Sequence, residues 1–191
     1  MGREFELKYR ADRKTLAAIR ESFSGFVSID METAYFDTPV ADLARRRWTL
    51  RRRLENGKSV CTVKTPGPDG SRGEWETENS SIGDAVAELC KLGAPVELAQ
   101  LTRDGVSQVC AARFTRLAAT LTPPGCVVEL ALDQGCLLGG GKELPFAEVE
   151  VELKDGSREA AVAFARELAG KFRLEPEPAS KVQRALALAN S

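Results

Sequence analysis

The run Glu148-Val149-Glu150-Val151-Glu152-Leu153 alternates carboxylate and aliphatic side chains without a break. A β-strand places every second residue on one face, so one face of this segment is apolar and the other carries three like charges. Neighbouring carboxylates in such a row lie ~7 Å apart. At an effective dielectric of about 20 they repel by roughly 2 kcal/mol per pair. A solvated face tolerates that repulsion through screening. The alternative is a site in which a metal ion or opposing cations relieve it.

The pattern recurs at Glu4 and Glu6, at Glu74 and Glu76, and at Glu129 and Asp133. One Glu-x-Glu is a weak signal, but four such strands in a short chain are a strong one. Basic residues fall on other segments: Arg51 and Arg53, Lys64, Arg72, Arg116 and Lys181. A sheet open to water mixes signs, because opposite charges across strands relieve repulsion. Segregated rows therefore predict a polar interior with cations held on one side and an anion on the other. Carboxylate oxygens suit Mg²⁺ or Mn²⁺, whereas guanidinium forks and ammonium groups suit phosphate oxygens. The expected ligand is a metal-bound polyphosphate.

The 191 residues are read as one domain spanning 1–191, with 43% hydrophobic and 29% charged residues, as in an ordinary globular protein. Histidine is absent, which removes Ser-His-Asp and Cys-His nucleophiles and histidine-bound zinc. The five cysteines are widely spaced with no C-x-x-C pair, so they read as small buried residues in a reducing compartment. A net charge of −1 argues against a nucleic-acid partner. No apolar run approaches membrane length, and the expectation is a cytoplasmic monomer or homodimer with no membrane partner.

Along the chain, residues 3–10 read as a strand, and Asp12 caps a helix over 13–22. Glu32 to Thr38, Arg47 to Leu54, Ser59 to Lys64 and Gly73 to Glu78 form a meander of hairpins, turning at Asn56-Gly57 and Pro66-Gly67-Pro68-Asp69-Gly70. A helix follows over 82–92. Strands are expected near 106–121, 126–133 and 146–153, with helices over 157–172 and 179–189. Arg45-Arg46-Arg47 reads as a solvated or salt-bridged run, Gly139-Gly140-Gly141 as a turn without the context of a phosphate loop, and Trp48 and Trp75 as packing residues.

The ordered set Glu4-x-Glu6-x-Lys8, Tyr35-Phe36-Asp37-Thr38, Leu50-Arg51-Arg52-Arg53, Thr62-Val63-Lys64, Glu129 to Asp133, Glu148 to Glu152 and Ser180-Lys181-x-x-Arg184 resembles the CYTH domain family of triphosphate tunnel metalloenzymes. The resemblance implies an α+β fold built on a closed antiparallel barrel of roughly eight strands, with a polar lumen and helices packed outside. It implies Glu4, Glu6, Glu148, Glu150 and Glu152 as the metal set. Arg51, Arg53, Lys64, Arg72, Arg116 and Lys181 are the expected triphosphate holders, and Lys8, Asp133 and Glu150 the expected catalytic residues. The implied activity is hydrolysis of inorganic triphosphate to pyrophosphate and phosphate, as in bacterial inorganic triphosphatases. The alternatives are a class IV adenylate cyclase, a thiamine or nucleoside triphosphatase, and a non-catalytic polyphosphate-binding protein.

Overall fold

The computed structural model describes residues 2–67 and 71–190, so the 68–70 part of the expected turn lies outside the described residues. Alternating segments become strands β1 (Gly2–Glu4), β2 (Glu6–Arg10), β3 (Val27–Asp37), β4 (Thr49–Glu55), β5 (Lys58–Pro66), β6 (Arg72–Glu78), β7 (Ser107–Leu121), β8 (Cys126–Gly139), β9 (Lys142–Gly156) and β10 (Glu175–Pro176). The helices are α1 (Arg13–Ser22), α2 (Asp42–Arg45), α3 (Ile82–Lys91), α4 (Glu97–Leu101), α5 (Arg158–Phe172) and α6 (Lys181–Ala189). Among the described residues, no helix is long and apolar enough to cross a membrane.

All the strands form one antiparallel sheet in the order β1-β6-β5-β4-β3-β7-β8-β9-β2-β10. The expected closed eight-stranded barrel is therefore corrected to an open ten-stranded sheet with β1 and β10 at its edges. The reason lies in the N-terminal segment, which does not run as one strand from 3 to 10. It breaks at Phe5, and its halves pair at opposite ends of the ladder, Glu4 opposite Arg72 on β6 and Glu6 opposite Glu152 on β9. The two ends are joined there by the covalent chain, not by a continuous ladder.

One sheet face is curved around polar side chains, and the other is apolar beneath helices. Leu130, Leu132, Val149 and Val151 pack under Ile19 of α1 and Ala165 and Leu168 of α5. At the other end Leu50, Cys61, Val63 and Trp75 pack under Leu43, Leu89 and Leu98 of α2, α3 and α4. Helices α1, α3, α5 and α6 start where a side chain satisfies a free amide: Asp12 accepts from Thr15 N at 2.7 Å, and Ser180 and Gln183 form a capping box on α6. Burial pushes the Cys61 thiol to about 11 and that of Cys110 to about 12, so these cysteines are inert packing groups.

Helix α6 departs from the expectation that helices lie outside. Its Ala185 packs on Phe114, Leu137 and Phe146, and Phe146 shares strand parity with Glu148, Glu150 and Glu152. The helix thus covers one end of the polar face. Gly139 makes this possible, because a Cβ there would lie 2.2 Å from the Ala185 carbonyl oxygen.

Candidate active site

The polar face encloses a cavity of about 250 Å³. Glu4, Glu6, Lys8, Arg51, Arg53, Lys64, Arg72, Arg116, Glu150, Glu152 and Lys181 line it. Asp133 and Glu148 lie beneath them, each with no exposed surface. All the candidate residues named from the sequence converge on this one place.

Their pairing divides them into two groups. In the first, Asp133, Glu148 and Glu150 each bring an oxygen within 4.8 Å of the others. Lys181 Nζ sits among them, 2.7 Å from Asp133 Oδ2, 2.8 Å from Glu150 Oε1 and in contact with Glu148 Oε1. Arg116 forks onto Asp133 at 2.8 and 2.7 Å and also reaches Glu150, while Arg184 reaches Glu148. Burial alone would push the Glu150 carboxyl up, but the Lys181 and Arg116 charges outweigh it and hold that carboxyl well below the usual range. Burial likewise disfavours the Lys181 charge, yet Asp133, Glu150 and Glu148 raise its pKa above the ordinary value. Three carboxylates that lie close enough to share a metal ion thus meet three of the protein's own cations.

The second group is under-neutralised. Glu4 Oε1 receives Lys64 Nζ at 2.5 Å, but Glu4 Oε2 is buried with no hydrogen-bond partner among the described residues. Glu6 stands opposite Glu152, which stands opposite Glu129, so three carboxylates cross the sheet side by side. Burial, then the Glu150 charge, raises the Glu6 carboxyl above its ordinary value. Burial also raises Glu152, although Lys154 contacts it at 2.8 Å. An orphaned carboxylate oxygen beside two carboxyls that resist ionisation is the donor set a hard divalent cation fits.

Facing these acids are guanidiniums short of partners. Among the described residues Arg51 has only long ion pairs, 3.7 Å to Glu74 and 3.9 Å to Glu76, and Arg53 pairs with Glu55 at 2.9 Å. The Nε atoms of both are buried without a hydrogen-bond partner among the described residues. Burial, followed by repulsion from Arg51 and Arg116, lowers the Arg53 pKa. Alternation explains the arrangement: Arg51 and Arg53 share one face of β4, while Leu50, just before Arg51, is buried on the other.

Residues 2–186 match the CYTH domain. The chain belongs to the CYTH domain family. Among curated proteins, the CYTH chain is 27% identical over 152 residues to the inorganic triphosphatase of Haemophilus influenzae, covering 78% of this chain and 43% of that protein. It is also 34% identical over 93 residues to the uncharacterized protein Rv2226 of Mycobacterium tuberculosis, covering 45% of this chain and 18% of that one. The chain thus spans less than half the length of these curated relatives.

Solved structures share the fold. The PH1819 protein of Pyrococcus horikoshii superposes with a TM-score of 0.69 at 24% identity, covering 97% of this chain and 99% of that one. HpAC1 of Hippeastrum, an adenylyl cyclase candidate with a dominant triphosphatase activity, gives 0.62 at 18% identity, covering 99% and 95%.

Within the CYTH site, Lys154 and Glu177 escaped sequence reasoning, and Arg184 was named only in the Ser180-Lys181-x-x-Arg184 motif, without a role. Lys154 continues the 148/150/152 face, so the period that revealed those glutamates also contained it. Arg184, one helical turn from Lys181, enters the acidic group through Glu148. Glu177 is buried beside Arg10, and nothing in its Pro176-Glu177-Pro178 setting marks it.

Proposed function

We propose that this protein hydrolyses inorganic triphosphate, with Mg²⁺ or Mn²⁺ held by Glu4, Glu6 and Glu152. The observation that carries this reading is the two-walled cavity, with a carboxylate oxygen on one wall and buried guanidinium Nε atoms on the other that have no hydrogen-bond partner among the described residues. A linear polyanion with its cation answers both deficits at once. The relationship to the Haemophilus influenzae inorganic triphosphatase supports the same substrate.

A divalent cation bound here would neutralise phosphate oxygens and acidify water. The rest falls to the chain's own side chains. Arg51, Arg53 and Arg116 hold the phosphate oxygens and keep the phosphorus in line for attack, as phosphoryl transfer requires. Lys64, already shared between Glu4 and Glu74 at 2.5 and 3.1 Å, sets the charge balance between the acidic wall and the anion. Lys8 stands opposite Glu150 and has no ion pair among the described residues, so its ammonium is free to follow the charge that develops on the departing pyrophosphate. Water attacks the terminal phosphorus as the bridging P–O bond breaks; the water's oxygen ends on phosphate, and its two protons are divided between the phosphate and pyrophosphate that leave.

Asp133 and Glu150 hold Arg116 and Lys181 in this scheme and do not serve as the base. Glu148 likewise belongs to the internal salt network, and Lys181 contributes through the acids it pins. The test is phosphate release from tripolyphosphate, ATP and thiamine triphosphate with Mg²⁺, with Mn²⁺ and with chelator. Release that prefers tripolyphosphate and vanishes with chelator supports the reading. Cyclic AMP formed from ATP would move it to a cyclase, and tight binding of tripolyphosphate without turnover would move it to a binding protein.

A further inference from the structure

Glu177 lies outside the cation and phosphate walls, in the short strap between β10 and α6, and is only 6% exposed. Its Oε2 accepts from Arg10 Nε at 2.7 Å and lies 3.8 Å from Arg184 Nη1. Its Oε1 accepts from Ala179 N at 3.0 Å, immediately before the Ser180 cap, and its own N–H donates to Lys8 O at 2.9 Å. One residue thus ties β2, the strap and α6 together.

Beyond Arg184 the contacts continue into the site. Arg184 bonds Glu148, Glu148 bonds Lys181, Lys181 bonds Glu150, and Glu150 bonds Arg116 on the cavity wall. The charges alternate in sign from Arg10 to Arg116. Arg184 Nε is buried with no hydrogen-bond partner among the described residues, and its other nitrogens meet Glu148 on one side and Glu177 on the other. Without the Glu177 charge it would be anchored from one side only, and the carboxylate it steadies is the one Lys181 depends on.

We propose that Glu177 is a positioning residue, which fixes Arg184 against Glu148 and thereby sets Lys181, Glu150 and the Arg116 guanidinium in register with the phosphate chain. This rests on the triphosphatase reading above. Glutamine at 177 keeps the volume and the acceptor for Ala179 N but removes the charge, and the Ser180–Gln183 capping box still starts α6. Loss of the charge should therefore disturb alignment more than folding.

The experiment measures kcat and KM for tripolyphosphate with Mn²⁺ in Glu177→Gln, Arg184→Gln and the double variant, alongside NMR of the Arg184 Nε–H and Lys181 ammonium signals. Misalignment without loss of binding should lower kcat about ten- to a hundredfold, with KM near the wild-type value. The double variant should be no slower than Arg184→Gln alone, because the two residues act in one chain. Wild-type kcat in Glu177→Gln, or losses that multiply in the double variant, would overturn the proposal. If the wild-type protein releases no phosphate, the triphosphatase reading fails and NMR alone decides the positioning claim. Fast-exchanging Arg184 and Lys181 signals in Glu177→Gln support it, and signals unchanged from wild type refute it.

Discussion

Lys181 Nζ lies 2.7 Å from Asp133 Oδ2, so a lysine from the C-terminal helix occupies the space between carboxylates that could otherwise bridge a metal ion. Removing it leaves Asp133, Glu148 and Glu150 buried with less compensation. Breaking a buried ion pair from one side costs about 3–5 kcal/mol. Lys181→Met should therefore lower the urea midpoint strongly at neutral pH, and a midpoint at the wild-type value would show that the ammonium is not what balances the acids.

Glu150 and Glu6 predict opposite pH dependences. Glu150 titrates below the ordinary value of 4.5 in the folded state, so its stabilisation is present above that value and is lost as pH falls through the folded pKa. Glu6 titrates above 4.5, so its penalty is absent below that value and is complete once pH has risen through the folded pKa. Metal-free Glu6→Gln should be more stable than wild type at neutral pH and equal to it in acid. Glu150→Gln should be less stable at neutral pH and should lose less stability on acidification. Thermal unfolding across pH in chelator compares them directly.

Arg53 is held beside Arg51 and Arg116 with its Nε unpaired among the described residues, an arrangement that costs stability until an anion arrives. A hydrogen bond to a charged group contributes about 1.5–3 kcal/mol. Arg53→Gln should accordingly weaken tripolyphosphate binding about ten- to a hundredfold while leaving the thermal midpoint unchanged or higher. Calorimetric titration with tripolyphosphate, paired with a melting curve, separates the two effects.

Gly139 permits the closest approach between the β8–β9 hairpin and α6. A Cβ there would meet the Ala185 carbonyl at 2.2 Å and Ala189 N at 3.0 Å, and backbone atoms cannot yield as a side-chain tip can. Gly139→Ala should displace α6, lowering the thermal midpoint and slowing turnover together, whereas an alanine variant with both unchanged would show that α6 tolerates the shift.

Much of this was legible in the sequence because strand alternation is rigid. The parity of Glu4, Glu6, Arg51, Arg53, Lys64, Arg116 and the 148–152 row put them on one face, and they line or underlie one cavity. The break at Phe5 was not legible, since residues 3–10 keep one period across it while their halves pair with β6 and β9. The closed barrel was implied by the family resemblance, and that long-range choice leaves an open ladder in its place. The division of the acids was equally hidden. Glu148, Glu150 and Glu152 look equivalent in sequence, yet only the placement of α6 delivers Lys181 and Arg184 to the first two. The short helices α2 and α4 have too few residues to show a helical period.

The central claim is that Glu4, Glu6 and Glu152 hold the divalent cation needed to cleave triphosphate, while Glu148 and Glu150 do not. Phosphate release from tripolyphosphate should be followed over a Mn²⁺ titration in wild type, Glu6→Gln and Glu148→Gln. The account predicts Mn²⁺-dependent release in wild type, a large rise in the Mn²⁺ concentration required by Glu6→Gln, and an unchanged Mn²⁺ requirement in whatever activity Glu148→Gln retains. Release that needs no divalent cation, or a Mn²⁺ requirement that shifts in Glu148→Gln and not in Glu6→Gln, would contradict it.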